Sequence, residues 1–156
     1  MEVKLTWYEV LTASQTGCLR QLTAIRDGRK MSAGLTTDGW SEHIEGACGE
    51  LAVAKALNVF WDGSVNTFKQ DDLPGLQVRT RRRHEYDLIV RPSDDDDARW
   101  VLVTGRCPAY RVRGWILGSD AKQPEWLREH GGRPAAYFVP ASALHALDSL
   151  ACQESH

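Results

Sequence analysis

Apolar side chains at the start of the chain recur with the period of a helix. The apolar positions, spaced by four, seven, four and three residues, are Trp7, Leu11, Cys18, Leu22 and Ile25. Thr6 and Glu9 match a capping box, an arrangement in which two side chains satisfy backbone amides of the first helical turn. Gly28 is suited to end such a helix. The pattern therefore predicts an amphipathic helix over residues 6 to 27.

A second predicted helix, over residues 41 to 57, is rich in residues with little side chain. These small residues are Gly46, Ala47, Gly49, Ala52 and Ala54. A glycine inside a helix costs about 1 kcal/mol relative to alanine, so Gly46 and Gly49 indicate that a sheet approaches the helix closely there. Glu50 lies on the same stripe at helical spacing. Because an unpaired buried carboxylate is costly, Glu50 needs a partner.

Beyond residue 58 the pattern changes to that of strands. The candidate strands cover residues 65–68, 76–81, 86–91, 99–104, 110–117 and 135–139. The acidic block from Asp94 to Asp97 is predicted to be a charged turn that joins strands 86–91 and 99–104 in a hairpin. Pro140 is predicted to open a last short helix. Consecutive strands between flanking helices indicate a mixed α/β fold.

Alternation along two of these strands separates polar from apolar positions. In strand 76–81 one face carries Gln77, Arg79 and Arg81, and the other carries Leu76, Val78 and Thr80. In strand 110–117 one face carries Tyr110, Val112 and Ile116, and the other carries Arg111, Arg113 and Trp115. The six tryptophans are expected mainly in the core, but the second set combines an aromatic ring with two arginines, so Trp115 is a candidate for stacking on a nucleic-acid base.

Composition narrows the class of protein. A length of 156 residues fits one domain, and 42% hydrophobic with 26% charged residues is typical of a globular chain. The formal net charge of -2 argues against a wholly basic nucleic-acid binder. No apolar run approaches the roughly 20 residues of a membrane span, and the first residues lack a secretory signal. The four cysteines are widely spaced, so we expect reduced thiols, a cytoplasmic protein and no membrane partner.

The order of these segments resembles the PD-(D/E)xK nuclease superfamily, including small phage-encoded members. In that family a helix with a glutamate precedes a sheet, an acid lies at a turn, and an acid-x-Lys pair follows on the next strand. The matching residues here are Glu50, then Asp72, then Gln77 and Arg79. Two later segments, 114–118 and 137–140, also look like phage-encoded relatives. The resemblance covers about residues 41 to 150 and implies a restriction-endonuclease-like mixed sheet flanked by helices, with the N-terminal helix as an addition to one domain over 1–156.

The resemblance also implies a chemistry, which is Mg²⁺-dependent cleavage of DNA. Glu50 and Asp72 would be metal ligands, because Mg²⁺ prefers oxygen donors. Gln77 stands where the family has an acid, and it would be a weak third ligand through its carbonyl oxygen. Arg79 stands where the family has lysine, and it would clamp a phosphate because arginine cannot act as a base near neutral pH. The bound metal would activate the attacking water.

Each of these assignments has an alternative. Glu50 is also consistent with a structural carboxylate paired with an arginine, and Gln77 and Arg79 with the solvent face of an edge strand. Asp71 and Asp72 before Leu-Pro-Gly are also an ordinary turn composition. The basic run Arg81, Arg82 and Arg83 would be either a solvated tip or a phosphate-binding patch, to which Arg111 and Arg113 would add. The alternative function is therefore a degenerate nuclease fold that binds nucleic acid or a protein partner without cleavage. A third is a structural or interaction protein of a virus.

Overall fold

The computed structural model describes residues 1–29, 39–65 and 70–151. Four α-helices lie in these ranges: α1 (Trp7–Arg26), α2 (Gly39–Leu57), α3 (Gly118–Ala121) and α4 (Asp148–Ala151). Short 3-10 turns cover Pro124–Trp126 and Ala141–Ala143. Both long helices lie where the sequence predicts them, and the capping box of α1 is confirmed, since the Thr6 amide donates to Glu9 Oε2 at 2.6 Å and the Glu9 amide to Thr6 Oγ1 at 3.3 Å. The predicted strand 65–68 falls almost entirely outside the described residues.

The main sheet combines parallel and antiparallel pairs. Its strands, in spatial order, are β1 (Glu2–Lys4), β5 (Ala109–Leu117), β4 (Arg99–Arg106) and β2 (Leu76–Arg81). β2 runs parallel to β4, while β4 runs antiparallel to β5 and β5 antiparallel to β1. β2 is thus an edge strand of this sheet. The predicted strands 76–81, 99–104 and 110–117 are confirmed within two residues at their ends.

A second, smaller sheet corrects the predicted hairpin. It consists of β3 (Leu88–Val90), β7 (Ala136–Val139) and β6 (Leu127–Arg128), with β7 in the middle and antiparallel to both neighbours. The prediction that strand 86–91 pairs with strand 99–104 is wrong, because β3 pairs with β7 and β4 pairs with β2 and β5. The acidic loop after β3 carries the chain from one sheet to the other. The chain is therefore mixed α/β.

The main sheet separates two apolar cores. On one face, α2 packs over Leu76, Val78, Val101, Val103 and Val112. On the other face, Trp100, Leu102 and Ile116 pack against residues of the second sheet, including Leu88, Val90 and Val139. The order of layers is α1, α2, main sheet and second sheet. This confirms that Leu76 and Val78 share the buried face of β2 toward α2.

Only one of the two predicted glycine contacts between α2 and the sheet is present. A methyl group at Gly49 would overlap the Thr80 side chain of β2, so this glycine sets the approach of helix and strand. No atom of the described residues lies within 4 Å of the equivalent position at Gly46, where the prediction is wrong. Close contact between the helices occurs instead at Gly17 of α1, where a methyl would lie 2.5 Å from the Ile44 Cα.

The face of helix α1 that carries small residues packs against the protein, and its apolar stripe faces solvent. An amphipathic helix normally buries its apolar face. In α1 the buried residues are Ala13, Thr16 and Gly17, which pack toward α2. The outer stripe, as we call it here, consists of Trp7, Tyr8, Leu11, Leu19, Leu22 and Ile25, which are 49% to 81% exposed. Across the described residues, no helix is long and apolar enough to span a membrane.

A β-bulge changes which side chains of β5 share a face. Leu102 pairs with Gly114 and the adjacent Val103 pairs with Val112, so Arg113 is an extra residue in β5. Gly114 has a φ of 143°, a conformation suited to glycine at such a bulge. The bulge places Trp115 in the same core as Tyr110 and Val112, where it is 6% exposed. Trp115 is therefore a core residue, as expected of most tryptophans in the chain, and its candidacy for base stacking is wrong.

Candidate functional site

Glu50, the first residue of the predicted site, is buried on α2 and paired with an arginine of α1. Arg20 Nη1 donates to Glu50 Oε1 at 2.6 Å, and Arg20 Nη2 donates to Oε2 at 2.9 Å. The indole nitrogen of Trp61 donates to Oε2 at 3.0 Å, and Arg20 Nε donates to the Ser64 carbonyl at 3.0 Å. Both carboxylate oxygens thus accept charge-assisted bonds in a bidentate geometry. This is the arrangement expected of a structural carboxylate.

Asp72 lies in the turn before β2 and close enough to Glu50 for the two charges to interact. Burial and the Glu50 carboxylate raise the pKa of Asp72 to about 6. The Val78 amide donates to Asp72 Oδ2 at 2.8 Å, and the charges of Arg20 and Arg79 oppose the rise. The structure therefore brings together the helix glutamate and the turn aspartate, but with Arg20 beside them. We call Glu50, Asp72 and Arg20 the carboxylate site.

Gln77 is engaged with the neighbouring aspartate of the turn. Its Nε2 donates to Asp71 Oδ1 at 3.0 Å, and Asp71 Oδ2 accepts from the Gly75 amide at 3.1 Å. The side-chain amide of Gln77 therefore acts as a hydrogen-bond donor that fastens the start of β2 to the turn. Its contact in the structure is with Asp71 rather than with Glu50 or Asp72.

Arg79 faces the second core. Its Nη2 lies 3.0 and 3.2 Å from the two carboxylate oxygens of Asp94, and its guanidinium lies 4.5 Å from the centre of the Trp100 ring. Asp94 also accepts a bond of 2.8 Å from the Arg91 amide. A guanidinium that is paired with a carboxylate and stacked on an indole is held in place by both contacts. Arg79 thus links the edge strand to the acidic loop.

The acidic loop after β3 is organised around a lysine. Lys122 Nζ donates to the Pro92 carbonyl at 3.0 Å, to the Asp94 carbonyl at 2.6 Å and to the Asp96 carboxylate. Only 16% of the Lys122 side chain is exposed. An ammonium group therefore occupies the position among these oxygens that a cation would otherwise take.

A cavity of about 250 Å³ opens beside the carboxylate site. Its lining residues are Phe60, Asp62, Asp71, Asp72, Leu73 and Pro74. Three of the six are aspartates, so the cavity presents negative charge next to Asp72. Within the described residues, no group of three or more His, Cys, Asp or Glu side chains is arranged to hold a metal ion. Of the predicted metal ligands, Asp72 and Glu50 interact electrostatically, and Arg20 engages both oxygens of Glu50.

The predicted nucleic-acid-binding arginines lie together at the opposite end of β2. Arg81 pairs in register with Thr104 of β4, and Thr104 pairs with Arg111 of β5. Neighbouring strands are about 4.8 Å apart, so the Cα atoms of Arg81 and Arg111 are separated by roughly 10 Å on one face. Arg82 and Arg83 follow β2 directly and are exposed. Together with Arg113, these residues form what we call the arginine end.

Some members of the arginine end rest on an aromatic ring. The guanidinium groups of Arg81 and Arg83 lie 4.8 and 5.8 Å from the centre of the Tyr86 ring. Arg113 donates to the His84 carbonyl at 3.1 Å. Burial lowers the pKa of Arg81, and among the described residues its buried Nε has no hydrogen-bond partner. Packing against Tyr86 thus holds the Arg81 side chain, although its Nε donates no hydrogen bond within the described residues.

Sequence reasoning missed the residues that hold the predicted site. Arg20 lies on the side of α1 that carries the small residues. Because the apolar stripe lies on the opposite side, the sequence suggests that the Arg20 side faces solvent. The helical spacing of Ala13, Gly17 and Arg20 was the available signal. Trp61 follows α2 in an irregular segment, and nothing in its local sequence marks it as a partner of Glu50. A further buried acid contact was also missed, in which the Tyr110 hydroxyl donates to Glu45 Oε2 at 2.6 Å.

Comparison of the chain with known protein families, with curated proteins and with solved structures finds no match.

Proposed function

We propose that this protein binds nucleic acid through the arginine end and does not cleave it. The observation that argues against cleavage is the bidentate pair of Arg20 with Glu50. A divalent cation needs negatively charged oxygens, and a guanidinium beside the same carboxylate neutralises one of them and repels the ion. The geometry thus favours the non-cleaving alternative over the nuclease.

Binding is supported by the properties of the arginine end. Arg81, Arg82 and Arg83 are consecutive, and Arg111 lies on the same row of the sheet as Arg81. Phosphate oxygens are the acceptors that clustered arginines recognise, and such contacts release counterions from the nucleic acid. Arg82 and Arg83 are exposed, so their guanidinium groups are accessible to such an acceptor. The net charge of -2 is compatible with this, because the positive charge is local.

The first experiment compares two pairs of substitutions that remove equal charge. Arg82→Ala/Arg83→Ala removes two exposed arginines of the arginine end, and Arg91→Ala/Arg128→Ala removes two exposed arginines elsewhere. Affinity for double-stranded DNA is measured by fluorescence anisotropy over a range of salt concentrations. Two lost phosphate contacts would reduce the slope of log K against log salt by about 1.8 and weaken binding at low salt. Equal slopes in both variants would contradict the proposal.

A second candidate, Mg²⁺-dependent cleavage, is favoured by the electrostatic interaction of the Glu50 and Asp72 carboxylates, which adds to burial in raising the pKa of Asp72. In that case Arg20 would release Glu50 when metal and DNA bind. The test measures Mg²⁺ binding by calorimetry and nicking of supercoiled DNA by the wild type, Asp72→Ala and Gln77→Glu. We expect neither metal binding nor nicking by the wild type. Nicking that is lost in Asp72→Ala and increased in Gln77→Glu would establish the nuclease instead.

A further inference from the structure

The outer stripe of α1 is an apolar surface without a partner in the described chain. It consists of the six residues Trp7, Tyr8, Leu11, Leu19, Leu22 and Ile25. At 100° per residue these side chains cover an arc centred on the face opposite Ala13 and Gly17, which pack toward α2. Trp7 and Tyr8 are 81% and 80% exposed. Contiguous apolar surface of this kind marks an interaction site in soluble domains.

The stripe has the seven-residue repeat of a helix pair. Tyr8, Gln15 and Leu22 are seven residues apart, as are Leu11, Cys18 and Ile25, and the two sets alternate by three and four residues. This is the a and d pattern that forms the seam between two packed helices. Trp7 and Leu19 flank the seam on its two sides. The central layer, Gln15 and Cys18, is less apolar than the layers at either end.

We propose that the outer stripe binds the same stripe of a second copy of this chain, with the two α1 helices antiparallel around a two-fold axis. An antiparallel pair centred between residues 16 and 17 places Tyr8 against Ile25 of the other copy and Leu11 against Leu22. Gln15 then meets Cys18 in the central layer. The stripe is thus complementary to itself, which is what a two-fold interface requires. Antiparallel helices also align their dipoles favourably.

The exposed area of the stripe approaches what one partner contributes to a standard interface. Aromatic residues contribute about 150–250 Å² each when fully exposed, and the six side chains together leave roughly 700 Å² open. A standard interface takes about 800 Å² from each partner. Trp and Tyr, which supply the largest part, are the residues that most often dominate interface energies. Arg20 points from the opposite side of α1 into Glu50, so pairing of the stripes leaves the carboxylate site unchanged.

The first test measures mass in solution by sedimentation over the micromolar range. The wild type should approach twice the chain mass of 17.5 kDa. Leu11→Glu/Leu22→Glu should weaken self-association at least about 100-fold, because paired stripes would bury four uncompensated charges. The matched control, Gln123→Glu/Leu127→Glu, adds the same charge at two exposed positions beside the second sheet, on the far side of the main sheet from α1, and should remain dimeric. Circular dichroism verifies that both variants fold. A monomeric wild type, or a dimer disrupted only by the control, would overturn the proposal.

A second test examines the orientation of the helices in a Cys18→Ser background. Chains with Leu11→Cys and chains with Leu22→Cys are oxidised separately and as a mixture, and disulfide-linked peptides are identified by mass spectrometry. The antiparallel pair predicts a link between residues 11 and 22 in the mixture and little linkage of either chain alone. Links from residue 11 to residue 11, or from residue 22 to residue 22, would indicate parallel helices and overturn the proposed pairing.

Discussion

Strand β2 begins at one charge cluster and ends at another, and the two clusters differ in where their charges find partners. At its start, Glu50 is bound by Arg20, Asp72 by the Val78 amide, and Asp71 by the Gly75 amide and Gln77. At its end, Arg82 and Arg83 are exposed, and the ion pairs found there, Arg83 with Glu85 and Arg111 with Glu2, lie in solvent as well. Charges satisfied inside the chain stabilise its fold, whereas charges turned outward are available to a ligand. The resemblance to a nuclease points to the first cluster, but the geometry favours the second as the functional one.

The largest effect should come from breaking the internal pair. Arg20→Met leaves the buried Glu50 carboxylate with Trp61 as its remaining side-chain donor. Removing one partner of a buried ion pair costs about 3–5 kcal/mol, because the other charge stays desolvated. We therefore expect the free energy of unfolding, measured by urea denaturation, to fall by that amount.

A matched control separates this effect from loss of any ion pair. Arg111→Met breaks the exposed pair with Glu2, whose atoms lie 2.9 Å apart. Exposed pairs contribute about 0–1 kcal/mol. The double variant Arg20→Met/Glu50→Gln should recover much of the lost stability, since it removes the unpaired charge. If Arg20→Met were as mild as Arg111→Met, the pair would not be structural and Arg20 would be free to yield to a metal.

The second effect is a pH dependence that arises from Asp72. Burial and the Glu50 carboxylate raise the pKa of this carboxyl to about 6 in the folded protein, above its ordinary value of 3.8. Between these two values the folded state holds more protons than the unfolded state, so the free energy of unfolding falls as pH rises through this window. The fall is at most about 3 kcal/mol, because one pKa unit corresponds to about 1.4 kcal/mol.

Asp72→Asn isolates this contribution, because asparagine retains an oxygen that accepts the Val78 amide but carries no charge. Urea denaturation between pH 4 and pH 7 should show a smaller fall in stability for the variant than for the wild type. The variant should be the more stable of the two at pH 7. Identical pH profiles would mean that Asp72 is not perturbed by Glu50, which would remove the main support for a shared site of two carboxylates.

Local sequence patterns predicted most elements but not their partners. Capping at Thr6, the small residues of α2 and the alternation of β2 are local properties, and the helices and strand that they predict are present. Pairing is not local. The acidic loop joins β3 to β4 in sequence, yet β3 finds its partner in β7, about fifty residues later. Likewise the bulge at Arg113 reverses the expected face of Trp115.

The sequence predicted two residues of the candidate site, but it did not predict which side chains they contact. Sequence order placed Glu50 on a helix and Asp72 at a turn, and the structure brings the two into electrostatic contact. The partner of Glu50 is Arg20, which lies thirty residues earlier in the chain. Arg20 is on the face of α1 opposite the apolar stripe, and an amphipathic helix is expected to leave that face exposed. Binding of the outer stripe to a second copy would explain why this expectation failed. The apolar face of an amphipathic helix can be buried in the core of its own chain or in an interface, and the sequence pattern does not distinguish the two.

A third, smaller effect is expected from adding charge to the start of β2. Gln77→Glu replaces the donor to Asp71 by a second carboxylate, so a bond of 3.0 Å becomes a repulsion between like charges. Without metal, we expect the free energy of unfolding at pH 7 to fall by about 1 kcal/mol. Thermal denaturation with and without Mg²⁺ measures the response. Stabilisation of the variant by Mg²⁺, with no such effect on the wild type, would indicate an impaired metal site.

The smallest effect on stability should come from the end of β2 where the proposed function lies. Arg82→Ala/Arg83→Ala removes two exposed side chains, of which Arg83 lies 3.7 Å from Glu85 in an exposed pair. Exposed substitutions of this kind change the free energy of unfolding by about 0.5 kcal/mol or less. Urea denaturation should therefore hardly distinguish the variant from the wild type, although the proposed function predicts a lower affinity for DNA. A large loss of stability would show that these arginines belong to the fold, as Arg20 and Arg79 do, and the contrast between the two ends of β2 would disappear.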